Sequence, residues 1–150
     1  MSDLRTLATD TSTLRELVRD VLAMSFDDHS LIAWVASELR RQLPQLNDDD
    51  LRVLTATITQ ALLEAGLVEV GVPAGRQFVA ENTSPDQVAR RIKDRWSLPP
   101  HNANEVLNSL WISATDLGEA AADGRAGADA VEQASASVAR LLESARYEAD

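Results

Sequence analysis

Asn47-Asp48-Asp49-Asp50-Leu51 opens, and Leu62-Leu63-Glu64-Ala65-Gly66-Leu67-Val68-Glu69-Val70 closes, the stretch on which the fold of this chain turns. Asn47 and Asp48 are residue types that accept hydrogen bonds from the free amides at a helix start, and Asp49 and Asp50 suit the positive end of the helix dipole. Leu51, Leu54, Ile58, Leu62 and Ala65 then recur on one face, and Gly66 stops the helix. Leu67-Val68-Glu69-Val70 alternates as a half-buried strand does, and Gly71, Pro73 and Gly75 are expected to break it.

Upstream, Thr13 followed by Glu16 is a capping-box pattern, and Leu14, Leu17, Val18, Val21 and Leu22 predict a helix over 13–24. Leu31, Ile32, Val35, Leu39 and Leu43 predict a second over 31–43, stopped by Pro44. Downstream, Ser84-Pro85 starts a helix over 85–97 that carries Val88, Ile92 and Trp96 and ends at Pro99-Pro100. Residues 110–114 read as a second strand, Thr115 caps a short helical turn over 116–122, and Gly124 and Gly127 form a joint. A last helix over 128–147 places Val131, Ala134, Val138, Leu141 and Ala145 in a narrow seam.

Three helices, a strand, an excursion and a returning strand are the order of a winged-helix domain. The run Leu62-Leu63-Glu64-Ala65-Gly66-Leu67-Val68-Glu69 resembles the end of the recognition helix and the first wing strand of MarR-type and PadR-type regulators. The run Trp111-Ile112-Ser113-Ala114-Thr115-Asp116-Leu117-Gly118-Glu119-Ala120 resembles their second wing strand and the threonine-x-x-glycine turn after it. The resemblance spans about 13–122 and implies a mainly α, winged-helix-like domain over 1–122. Residues 71–109, about 40 residues with a helix of their own, stand where such regulators carry a short wing loop. The helix over 128–147 then packs on the body or joins two copies into a homodimer.

Composition narrows the chemistry. Lys and Arg number 14 against 24 Asp and Glu, a formal charge of −10, which disfavours a general nucleic-acid coat. Cysteine is absent, which removes disulfides, thiolate metal sites and cysteine nucleophiles and fits a reducing cytoplasm. Residues 1–10 carry no apolar signal core, and no run approaches the ~20 apolar residues of a membrane span. His29 and His101 are the only histidines, each in a polar loop setting, and neither a zinc-protease motif nor a phosphate loop nor a nucleophile elbow occurs. The expectation is therefore a protein without catalytic residues, metal or cofactor. Asp48, Asp49 and Asp50 lack the spaced pattern of a calcium loop and read as a helix cap.

Two binding readings remain. In the first, an acidic module of the inhibitor or immunity kind holds a basic protein through Asp27, Asp28, Asp48, Asp49, Asp50 and Glu64. In the second, a regulator reads bases with Arg52, Thr55, Thr59 and Gln60 while Arg90, Arg91, Lys93 and Arg95 touch the DNA backbone. The three aspartates that would meet phosphates first favour the protein partner. Trp34, Trp96 and Trp111 lie on or beside apolar stripes and are expected in the core, with a partner anchor as the alternative.

Overall fold

The computed structural model describes residues 4–26, 29–96 and 110–149, with the side chains of Phe26, Arg95 and residues 145–149 excepted. The chain is mainly helical and carries one small antiparallel sheet. Helices α1 (Leu4–Ala8), α2 (Thr11–Phe26), α3 (Ile32–Gln42) and α4 (Asp48–Glu64) precede most of the sheet. Strand β1 (Ser30–Leu31) lies between α2 and α3; β2 (Val68–Ala74), β3 (Gln77–Ala80), helix α5 (Pro85–Trp96) and strand β4 (Trp111–Ala114) follow α4. Helices α6 (Asp116–Ala122) and α7 (Ala128–Ala149) complete the order.

Helix α4 starts as its sequence demands, with the Asn47 side chain accepting from the Asp50 amide at 2.8 Å. It is more deeply enclosed than a single apolar stripe implies. Leu51, Leu54, Thr55, Ala56, Thr57, Ile58, Thr59, Ala61 and Leu62 are all buried, because α3, α5 and α7 pack around it. The threonines tolerate this by turning each hydroxyl back on the helix: Thr55 donates to Leu51 O and Thr59 to Thr55 O, both at 2.8 Å. Helix α5 contributes Val88 and Ile92 to the enclosure, each fully buried.

Several boundaries move from their sequence-based positions for identifiable reasons. Helix α2 is capped by Asp10, whose carboxylate accepts from the Thr13 amide at 3.1 Å and the Thr13 hydroxyl at 2.7 Å, so Thr13 sits inside the first turn. A short helix, α1, precedes it and buries Leu7 against the core. Leu31 belongs to β1, where it pairs with Trp111, and not to the helix after it. The seam of α7 runs through Val131, Ala134, Val138 and Leu142, and packs on α1, α2 and α4.

The exit from α4 is built from small groups. Gly66 takes φ +73°, the Leu67 amide reaches back to Leu62 O at 3.0 Å, and the strand swings under the helix. The Thr115 hydroxyl donates to Gly66 O at 2.6 Å and accepts from the Gly118 amide at 3.1 Å, while the Thr115 amide donates to Leu67 O at 3.0 Å. One residue thus caps α6 and ties it to the α4–β2 joint. Gly118 lies so near that joint that a Cβ there would stand 1.9 Å from Leu67 O.

The sheet has the order β1-β4-β2-β3, all neighbours antiparallel. Val68 pairs with Ala114 and Val70 with Ile112, and Val68, Val70 and Ile112 face the core. Gly71, Pro73 and Gly75 do not end β2, contrary to the expectation from sequence. Gly75 and Arg76 form a two-residue turn, Gly75 at φ +63°, and β3 returns antiparallel with Val79 opposite Val72 and Phe78 opposite Pro73. Pro73 is tolerated because β2 pairs with β4 only as far as Gly71.

At Gly71 the strand bends. A Cβ on Gly71 would stand 2.0 Å from the carbonyl oxygen of Val79, so β3 crosses directly over the open face of β2. Edge strands of a flat four-stranded sheet would lie about 14 Å apart. Yet the ring of Phe78 on β3 comes within 4.8 Å of the ring of His29, beside β1. The hairpin is folded back over the outer face of the sheet, and that face is the setting of the candidate site.

Candidate functional site

Strand alternation sorts the side chains of the outer face. His29, Ser113 and Glu69 occupy one row across the sheet, and Leu31, Trp111 and Gly71 the next. His29 Nδ1 lies 3.1 Å from the Ser113 hydroxyl, and the imidazole packs at a tilt of 40° on Phe78. This corrects the reading of His29 as a solvated loop residue: the fold-back of the hairpin half-buries it. Helix α3 leaves β1 at once and brings Trp34 edge-on to Trp111, ring centroids 5.6 Å apart at 80°.

Trp34 is the second correction. It is 48% exposed, because its helix buries Ile32, Val35, Ala36 and Leu39 and leaves position 34 outside that stripe. Trp111 is half-buried, and Trp96 packs partly against the core, as expected. Val72 and Val79, opposite one another on the hairpin, are 47% and 52% exposed. Among the described residues, three of the four large apolar side chains that face water therefore belong to the Trp34 position and the hairpin, the fourth being Leu117.

The residues singled out for a basic partner are partly engaged within the chain. Asp48 is held by Arg40, Asp49 lies 3.7 Å from Arg52, and Glu64 lies 3.8 Å from Arg140 and accepts from Gln60 at 3.3 Å. The Asp48 and Asp49 side chains nevertheless remain 87% exposed. The Asp50 backbone serves the helix cap. Asp27, Asp28 and His101 lie outside the described residues.

The residues singled out for DNA are dispersed. Thr55 and Thr59 are buried to 0% and 1% exposure, which corrects their assignment as base-reading side chains. Arg52 reaches across to Lys93 O at 3.3 Å and so joins α4 to α5. Arg91 is bound to Glu81 at 2.7 Å, Arg90 is exposed, Lys93 and Gln60 are partly covered, and the Arg95 side chain is not described. The basic helix α5 is stitched to its neighbours more than it is presented.

A cavity of about 560 Å³ opens beside Arg19, Asp123, Arg125 and the start of α7, where Arg125 is spent on Asp123 at 3.0 Å. Among the described residues no group of three His, Asp or Glu side chains could hold a metal ion, and no helix is long and apolar enough to cross a membrane.

The ion pairs set an acid limit on stability. The Arg41 guanidinium lowers the Glu38 carboxyl below its ordinary 4.5, as the Thr83 hydroxyl and then Arg91 do for Glu81, and Arg15 for Glu132. A depressed folded pKa contributes stability that is present above the ordinary value and lost as pH falls through the folded one. Melting temperature should therefore hold level through the neutral range and decline below about pH 4.5, with a shallow slope because the pairs are solvated. Thermal melts at stepped pH, repeated with Glu81→Gln, check this: the substitution should flatten the decline, and an unchanged slope would remove Glu81 from the account.

Set against protein-family models, curated proteins and solved structures, the chain matches none, so its reading rests on its own geometry.

Proposed function

We propose that this chain is a non-enzymatic, winged-helix-like module that binds a basic protein, in the manner of an inhibitor or immunity protein. The observation that carries the reading is the Trp34–Trp111 pair, a large aromatic held half in water on a rigid helix beside an exposed hairpin. Aromatic anchors of this kind dominate interface energies. The excess of ten carboxylates supplies the complementary field that speeds encounter with a cation-rich surface. Asp48 and Asp49, exposed at the start of α4, are charged contacts in the same reading.

The winged-helix description is supported by β2 and β4 pairing as the two wing strands, with β3 and α5 in the excursion between them. A base-reading role for α4 fits less well, since Thr55 and Thr59 face the interior. Dimerisation through α7 also loses support, because its apolar seam is spent on α1, α2 and α4.

The test is capture of a partner by the immobilised protein from extracts of its source, followed by titration of the purified partner. A basic protein is expected, with Trp34→Ala weakening it about thirtyfold or more while the melting temperature stays unchanged. Unaltered affinity in Trp34→Ala would overturn the reading. So would steeply salt-dependent binding of random duplex DNA in place of a protein.

A further inference from the structure

Carboxylates on this chain are usually answered by a cation or a hydroxyl. Seven arginine–carboxylate pairs stand among the described residues, and Asp10 is satisfied by Thr13. Glu16, Asp86, Asp116, Glu119, Asp129 and Glu69 have no such partner among the described residues, and of these only Glu69 lies on a strand of the sheet. Its side chain is half-buried on the outer face of the sheet, and it has no hydrogen bond or ion pair among the described residues. A carboxylate without a counter-ion has its oxygens available to accept charge-assisted hydrogen bonds from an incoming cation.

The surroundings of Glu69 are suited to such a cation. Ser113 stands directly opposite it, and Trp111 is its diagonal neighbour, a spacing of about 7–8 Å between Cα atoms. Phe78, folded over from the hairpin, and His29 close the far side. One negative charge among flat aromatic faces is the chemistry that receives a guanidinium, which stacks on rings while its N–H fork meets the carboxylate. The bend at Gly71 carries the hairpin over this face; a flat sheet would leave Phe78 far from His29.

We propose that the outer sheet face beside the folded hairpin seats one arginine side chain of the partner, with Glu69 as counter-ion and the rings of Trp111 and Phe78 as stacking surfaces. This rests on the reading of a basic protein partner and names the place where it is gripped.

A capped nona-arginine peptide, with nona-lysine and nona-glutamate beside it, tests the proposal in low salt. Calorimetry gives the affinity, and nitrogen-15 spectra follow the Trp111 indole N–H and the Glu69 and Ser113 amides. Nona-arginine should shift those three signals, bind more tightly than nona-lysine, and lose about tenfold in affinity in Glu69→Gln. Phe78→Ala, which keeps every charge, should narrow the preference for arginine over lysine. If basic peptides bind but the shifts gather at the start of α4 and Glu69→Gln binds as before, the seat is wrong and the basic-partner reading stands. If neither basic peptide binds, or nona-glutamate binds as well as they do, the basic-partner reading falls and takes the seat with it.

Discussion

Thr59→Arg should unfold this protein or nearly so, with a loss on the order of 3–5 kcal/mol. Position 59 is 1% exposed and is enclosed in the middle of α4, and the threonine hydroxyl there already spends itself on Thr55 O. An arginine would have to drive a charged fork between packed helices or push one of them away. For a chain of this length the loss corresponds to a fall in melting temperature of about 6–20 °C. Gln60→Arg, one residue on but partly exposed, serves as the control and should stay within about 0.5 kcal/mol of the parent. A helix that reads DNA would give the opposite result, accepting arginine at 59 and gaining affinity for duplex. Melts of the two variants beside a DNA titration separate these outcomes.

Gly118→Ala is the second large effect. The added methyl would meet Leu67 O at 1.9 Å and the Leu67 carbonyl carbon at 3.0 Å, both backbone atoms that cannot rotate aside. Relief requires α6 to lift from the α4–β2 joint, which breaks the bonds that Thr115 makes to Gly66 O and the Gly118 amide. Overpacking of this kind costs about 1–3 kcal/mol, and the lost cap adds about 1. Gly124→Ala is the comparison: its Cβ meets open space, so only its φ of +74° opposes the change, at about 1 kcal/mol. Equal melting temperatures for the two variants would show that the joint is softer than its distances indicate.

The sequence made the frame of the molecule readable wherever a local rule acted alone. Asn47 before three aspartates, Gly66 after Ala65, and Thr115 three residues before Gly118 each mark an element end through short-range hydrogen bonds or a left-handed φ, and each end lies where that chemistry puts it. The errors arose where a distant partner decided. Gly71 and Pro73 look like strand breakers in isolation, but Gly71 is glycine because Val79 O occupies the place of its side chain. Thr55 and Thr59 look polar in a list, and only the three helices around α4 reveal that their hydroxyls turn inward.

The candidate site was least legible for the same reason. Its members come from β1, α3, β2, β3 and β4, and nothing in the local run around Trp34 or His29 announces a neighbour 77 or 49 residues away. One signal was present: Trp34 falls between Ile32 and Val35 in a helix whose buried stripe needs neither its size nor its position.

Helix α7 clasps α1 and α2, and its Glu132 holds Arg15 across 117 residues of chain. That clasp has a consequence in time. While a ribosome is still producing the middle of the protein, Leu14, Leu17 and Val18 lack part of the cover that they have at the end. Pairings so far apart along the chain form slowly, since a long loop must close before any contact rewards it. The opening helices are thus the earliest part made and among the last to be completed, and until then a nascent chain has an apolar flank on which a chaperone could act.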